Sequence, residues 1–501
     1  MPFRTMLKYA PLSALLWLAA CGGDSKTASP AAPASPTPAA ETSTSFDPKA
    51  VYLDGLYATS TSPGQDVNRL FDADPATGWR TLPGAGPDEG IMLYFSNSTA
   101  VQIQSIQADP MDDATLDSNS RIQVYVNGQA VRAAAPGERI ELRSEGAKDQ
   151  RVNSVFLRFS ETIVGEHSER SIPEKDLDIR IDAFDADGFV GLKALTFFNE
   201  KGEPVKIVPP RRVSGKVTAS STLAPESAYG PDNLFDSRKE FAWAEGNAAT
   251  AGEGEVLRFH FDQPVHISGV QIWDGYQRSA EHYRANARVK DFQVNAVNGP
   301  AQTFTLRDDA AGQKIDFPTA FEGQDFELKI NSIYPGKKYK DLAISEILFY
   351  DGAQPFVLHS DFQVRRAQGQ RSAAGNSPLA SLLDRRIYNM LDQPFDAVAQ
   401  SIILRSDGTF VLYEESESYE NDGNTRSISG QTIADGNWEL LENKGNTVKV
   451  KVFGKWFDAS EVQEWYKGPR SKEATKIFND VLTIDANTVK GEKMIGTFYR
   501  K

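Results

Sequence analysis

The sequence predicts an all-β protein: two tandem copies of one sandwich-forming module, followed by a small antiparallel β-barrel or sandwich carrying one or two helices. Three observations lead there. Apolar runs such as GIMLYF (90–95), IQVYV (122–126), VFLRF (155–159) and LKALTFF (192–198) are short and bounded by Gly, Asp, Asn or Pro, as strands are. Leu70, Phe71, Asp72 and Trp79 recur as Leu234, Phe235, Asp236 and Trp243 at an offset of 164, which persists through Gly90/Gly254, Phe95/Phe259 and Ile103/Ile267. Helical spacing is scarce, confined to SPLASLLDRRIYNML (377–391) and SKEATKIFNDVL (471–482).

The chain begins with a targeting signal rather than a fold element. Arg4 and Lys8 precede the apolar stretch Leu12–Leu18, and LAAC follows, ending in Cys21, the only cysteine of the chain. This run resembles a bacterial lipobox, which makes residues 1–20 a lipoprotein signal peptide and Cys21 the lipidation site. Each buried methylene of an acyl chain contributes about 0.8 kcal/mol, so the resemblance implies durable anchoring. Gly22 after the cysteine implies the outer membrane of a Gram-negative cell envelope. Losing Arg4 and Lys8 leaves 52 basic against 68 acidic residues, a net charge of −16. That balance excludes a nucleic-acid partner, which needs clustered Lys and Arg, and leaves the acyl chains to hold the membrane. No apolar run of spanning length follows.

Residues 21–46 form the lipidated cysteine and a Pro/Ala/Ser tether, a composition that cannot bury a core. The two copies close on matched runs, GLKALTFF and AISEILFY: Leu192, Leu195 and Phe197 align with Ile344, Ile347 and Phe349 at an offset of 152. The first copy therefore spans 47–207 and the second 208–353. Residues 360–501 differ, with short strands and Asp-Gly or Asn-rich turns suited to a small antiparallel domain. Trp79 and Trp243 read as core residues, and the Asp of each Leu-Phe-Asp as a turn cap.

The repeated LFD…W entry resembles the discoidin-type, galactose-binding-like module. The stretch QIWDGYQRSAEHYRANARVKDFQV (271–294) goes further and resembles the NADase-type glycan-binding domain, through Asp274, Gly275, Tyr276, Gln277, Arg278, Ser279, Tyr283, Asn286, Arg288, Val289 and Lys290. The first copy matches only the general frame. The resemblance implies jelly-roll sandwiches with a binding surface on loops at one end, and loops on a rigid scaffold carry recognition. A sugar wants an aromatic face and fixed hydrogen-bonding groups. Tyr276, Arg278, Tyr283, Arg288 and Asn286 are the candidate glycan contacts.

The discoidin resemblance also raises a structural calcium beside the entry loop, held by oxygen ligands. The candidate ligands are split: Asp72, Asp74 and Thr77 in the first copy face Ala194 where a Glu is wanted, while Asp236 and Glu346 in the second share their loop with Arg238 and Lys239. Neither copy has a full set, so no cofactor is expected. DAFDADG (182–188) has the look of an EF-hand opening but lacks both end ligands, and reads as a solvated turn. Five histidines without zincin spacing and no G-x-S-x-G elbow give an enzyme little support.

The third region resembles bacterial lipocalin-like lipoprotein domains, through LRSDGTFVLY and DGNWEL, with Phe410, Trp438 and Phe453 as core candidates and Trp456 and Trp465 over a barrel mouth. The expected function is carbohydrate binding by an envelope lipoprotein through the second module. The alternatives are a protein-binding envelope adaptor or immunity-type protein, and a carrier of a hydrophobic ligand in the C-terminal barrel.

Overall fold

The computed structural model describes residues 46–501 apart from 63, 75, 83–89, 97–102, 113–119, 144–150, 165–188, 225, 297–298, 362–368, 392–397, 407, 420–424, 457–476, 494–496 and 500–501. Cys21, the tether, the 182–188 turn and Trp465 lie outside the described residues. The three largest apolar cores among the described residues follow one another along the chain, drawn from residues 51–207, 213–358 and 374–498. No described helix is long and apolar enough to cross a membrane.

The first module packs two sheets face to face. Val51–Ala58, Gly90–Phe95, Ser154–Val164, Ser120–Val126 and Gln129–Ala134 form one, and Pro204–Val205, Gly191–Phe198, Ser105–Pro110 and Arg139–Glu141 the other. In the second module a single sheet runs Trp243–Ala244, Ala343–Asp351, Gln354–His359, Arg211–Ala219, Val256–Asp274, Gln313–Tyr334, Arg288–Ala296, Gln302–Thr305. Its two longest strands shift register between His260 and Val265 and again between Ile267 and Gly269. Such bulges bend a sheet, and here they fold it over a core of Phe259, Phe261, Phe292, Phe326, Phe349 and Phe356.

The internal repeat is written into the pairing. Trp79 sits opposite Leu192, and Trp243 opposite Ile344. Both indoles are fully buried, and each ring N–H donates to a serine carbonyl, Ser60 or Ser221, at 3.1 Å. Each Leu-Phe-Asp closes a short 3-10 turn, Val67–Phe71 or Pro231–Phe235. The Asp then accepts from the N–H two residues on, at 2.9 Å for Asp72 and 2.7 Å for Asp236. Each module also closes in the same way, its first strand lying parallel to its last.

The third region is a meander in which each strand pairs antiparallel with the next, from Arg386–Leu391 through Val398–Leu404, Thr409–Tyr419, Thr425–Asn443, Val448–Trp456, Ile477–Ile484 and Thr488–Gly491 to Thr497–Tyr499. Phe410 and Trp438 are buried inside it, Phe410 packing on Phe478 at 5.4 Å. Phe453, expected in the core, is half-buried instead, with Lys451 5.1 Å from its ring.

Two expected helices give way to strands in their described residues; residues 471–476 of the second lie outside those described. Within 377–391 only Pro378–Ser381 turns, as a 3-10 helix, Asp384 takes a positive φ of 62°, and Arg386–Leu391 pairs with Val398–Leu404. Of the stripe, Leu379, Leu382 and Leu383 are buried from the turn and Ile387 from the strand. Ile477–Ile484 pairs with the 448–455 strand, burying Phe478, Asp480, Leu482 and Ile484 at the two-residue period of a strand. A helical turn occurs at 369–374. The meander also joins the first module, because Glu161–Val164 pairs with Thr425–Ile428.

Candidate functional site

The Asp274–Lys290 segment reverses direction at Gly275, where φ is +72°. A side chain there is excluded twice, by the left-handed backbone and by space, since a Cβ would lie 2.7 Å from Tyr283 and 2.9 Å from Arg288. Asp274 is fully buried beneath the turn, and its Oδ1 accepts from the Val289 N–H at 2.9 Å. Its Oδ2 has no hydrogen-bond partner. Burial pushes this carboxyl up to about 7, against hydrogen bonds from the backbone that pull it down.

Gln277 ties its turn to the Ala343–Asp351 strand and to the loop at Ala310. Its N–H donates to Ser345 Oγ at 3.0 Å, and its amide to the carbonyls of Asp274 at 3.0 Å and Ala310 at 2.7 Å. Ser279 caps the Ala280–Ala285 helix, accepting from the His282 N–H at 3.0 Å. Asn286 ends it, with its amide donating to the His282 carbonyl at 2.9 Å.

Three side chains, those of Tyr283, Arg288 and Asp308, meet beside this helix. Arg288 is only 8% exposed and binds Asp308 through two parallel bonds, Nε to Oδ1 at 2.7 Å and Nη2 to Oδ2 at 3.0 Å. Its Nη1 donates to the Asn286 carbonyl at 2.7 Å and reaches that of Tyr283 at 3.3 Å. The Tyr283 hydroxyl donates to Asp308 Oδ1 at 3.1 Å. The Asp308 side chain remains 43% exposed, and the Arg288 bonds hold its carboxyl below the usual range. Burial and the neighbouring carboxylates raise the Tyr283 phenol, so it stays a donor at neutral pH.

The five candidate contacts thus separate. Tyr283 and Arg288 meet at the Asp308 carboxylate, while Asn286 reaches only Arg288, through its backbone carbonyl. Tyr276 packs edge-on to His282 at 5.1 Å and to Tyr229 at 6.5 Å. Arg278 is 7% exposed and pairs at 2.8 Å with Asp435 of the third region. Asp308 was missed by sequence reasoning. Its only signal is an Asp-Asp pair directly after a strand, twenty residues from Arg288 and outside the resembling stretch.

The calcium candidates do not fit a cation. In the first module the Asp72 carboxylate already accepts from Thr77 Oγ1 at 2.8 Å and Asp74 from the Ala76 N–H at 2.9 Å. At the late position stands Ala194, opposite Asp109. In the second module Asp236 and Glu346 do converge, with the Ser237 N–H donating to Glu346 at 3.2 Å. The space beside them belongs to Lys239, whose ammonium lies 3.7 Å from the Tyr94 ring and 4.4 Å from the Trp273 ring. Burial lowers this ammonium to about 8 and lifts both carboxyls well above their usual range. Asp54 and Tyr94 of the first module close the cluster, which makes it an intermodule joint. No group of three metal-ligating side chains occurs among the described residues.

Residues 211–350 match the family model described as the NAD glycohydrolase translocation F5/8 type C domain, so the second module is of the discoidin type. No curated protein matches this chain. Among solved structures, the family 32 carbohydrate-binding module of C. perfringens NanJ in complex with galactose is 12% identical, covering 27% of this chain and 93% of that one, with a TM-score of 0.23. A pectin-binding carbohydrate-binding module is 19% identical over 29% of this chain and 94% of its own, at a TM-score of 0.21. The family 32 module of AlyQ, in complex with 4,5-unsaturated mannuronic acid, is 14% identical over 27% and 95%, also at 0.21.

Proposed function

We propose that this chain binds glycan through the Tyr283–Asp308–Arg288 end of its second module, as a lipoprotein held at the cell envelope by acyl chains on Cys21. The shared Asp308 carboxylate carries the reading. A carboxylate offers about four lone-pair sites, and three are filled here, two on Oδ1 and one on Oδ2. The remaining site lies on a 43%-exposed side chain, already oriented, so a sugar hydroxyl meets an acceptor that loses little entropy on binding. The adjoining half-buried Tyr283 supplies an aromatic surface for the apolar side of a pyranose. Asn286, Gln277 and Arg278 take scaffold roles, since their polar groups are committed to protein partners. The reading assigns binding and no catalytic step.

The test is a glycan array probed with residues 21–501 carrying Cys21→Ala. The expected result is retention of at least one carbohydrate, weakened about tenfold or more by Asp308→Asn and by Tyr283→Ala. A folded protein that retains nothing, or two variants that bind as the parent does, would overturn it. Fractionation of cells expressing Cys21→Ala checks the anchor, which predicts release from the membrane.

A further inference from the structure

We propose that the lobe beside this site, built from the Ala280–Ala285 helix and the 335–341 loop, takes an acidic polysaccharide, one bearing uronate or sulfate groups. The inference rests on the reading of the second module as a glycan binder and names the class of glycan.

The loop is fastened flat onto the end of the helix. Its Lys337 N–H donates to the Arg284 carbonyl at 2.9 Å, and the N–H groups of Lys338 and Tyr339 to the Ala285 carbonyl at 3.0 and 2.8 Å. Gly336 allows the approach, because a Cβ there would lie 2.3 Å from the Tyr339 carbonyl oxygen and 2.4 Å from that of Ala285. With the backbone committed inward, Arg284, Lys337, Lys338, Tyr339 and Lys340 all face solvent. Tyr339 is 43% exposed, with the Lys338 ammonium 5.0 Å from its ring.

Four cations and an open aromatic ring therefore share one rigid lobe. Among the described residues no carboxylate forms an ion pair with Arg284, Lys337, Lys338 or Lys340, and Glu281 is the acid whose charge reaches Lys338. The segments 280–290, 306–310 and 335–341 hold seven Arg and Lys against four Asp and Glu, where the whole chain holds 54 against 68. An acidic chain repels a polyanion in general. At physiological salt, however, exposed charges are screened beyond about 8 Å, so the local cations set the field that an anionic polymer meets. Ammonium groups bind carboxylate or sulfate as point charges without demanding one geometry, and Tyr339 offers a face to the ring between them. Arg284 directly follows Tyr283, so one polymer can span the lobe and the Asp308 carboxylate.

The experiment measures binding of residues 21–501, Cys21→Ala, to immobilised polygalacturonate, dextran sulfate and a neutral galactan, beside vesicles of anionic phosphatidylglycerol. The parent is expected to hold an acidic polymer, and to weaken about tenfold or more as sodium chloride rises from about 50 to about 300 mM. Lys337→Ser with Lys338→Ser and Lys340→Ser, all exposed, should lose that binding by about tenfold while keeping the parent's melting temperature and neutral-sugar binding. Retention of neutral galactan alone, indifferent to the triple variant, overturns the acidic class and leaves the Asp308 reading standing. Acidic-polymer binding that needs the lysines but ignores Asp308→Asn supports the lobe and overturns the Asp308 reading. Vesicle capture without polysaccharide capture overturns the inference in favour of a lipid surface.

Discussion

Asp274→Asn isolates the buried carboxyl beneath the Gly275 turn. In the folded chain this group titrates near 7, raised from an ordinary value of 3.8 by burial. A raised folded-state pKa means that the native state holds its proton more tightly than the unfolded chain. The stability this confers is complete below about pH 4 and is lost as pH rises through about 7. A shift of about three units at 1.36 kcal/mol each sets an upper bound of about 4 kcal/mol. Asparagine is neutral throughout, and its Oδ1 can still accept from the Val289 N–H. The free-energy difference between variant and parent, followed by urea unfolding from about pH 4 to about pH 8, cancels the other carboxyls. It should move in favour of the variant by a few kcal/mol across that range, concentrated between about pH 4 and pH 7 and flat above it. Parallel curves would show that Asp274 does not sit as described.

Two further outcomes follow from the joints around the site. Because Lys239 occupies the place beside Asp236 and Glu346, calcium and EGTA should leave the melting temperature within about 1 °C of one another, and a calcium-dependent rise would refute the lysine's role. Asp435→Ala removes a partner of a nearly buried guanidinium, at a cost of about 1–3 kcal/mol. Faster thermolysin cleavage between the second module and the meander is expected, and an unchanged cleavage rate would mean that the pair does not fasten them.

What could be read without coordinates was what is local or repeated. Strand character follows from short apolar runs closed by turn residues, and it predicted an all-β chain. The Trp79/Trp243 correspondence survives because each indole fills the same buried slot and makes the same serine hydrogen bond in its own module. Gly275 and the Leu-Phe-Asp turns are likewise set by backbone conformation, which acts within a few residues.

The helix read over 377–391 failed for a physical reason. Leucines at helical spacing bury equally well from a turn followed by a strand, and the choice lay with a pairing partner at 398–404. The site shows the same division. The aromatic and cationic side chains of 276–288 were visible as a composition, but their commitments were made at a distance: Arg288 to Asp308, twenty residues on, and Arg278 to Asp435, 157 residues on. Spacing along a chain says nothing of which charge will face which once loops are folded together. Only the tertiary structure decided that Arg278 fastens two regions, that Lys239 sits where a cation was considered, and that the open acceptor at the rim is Asp308.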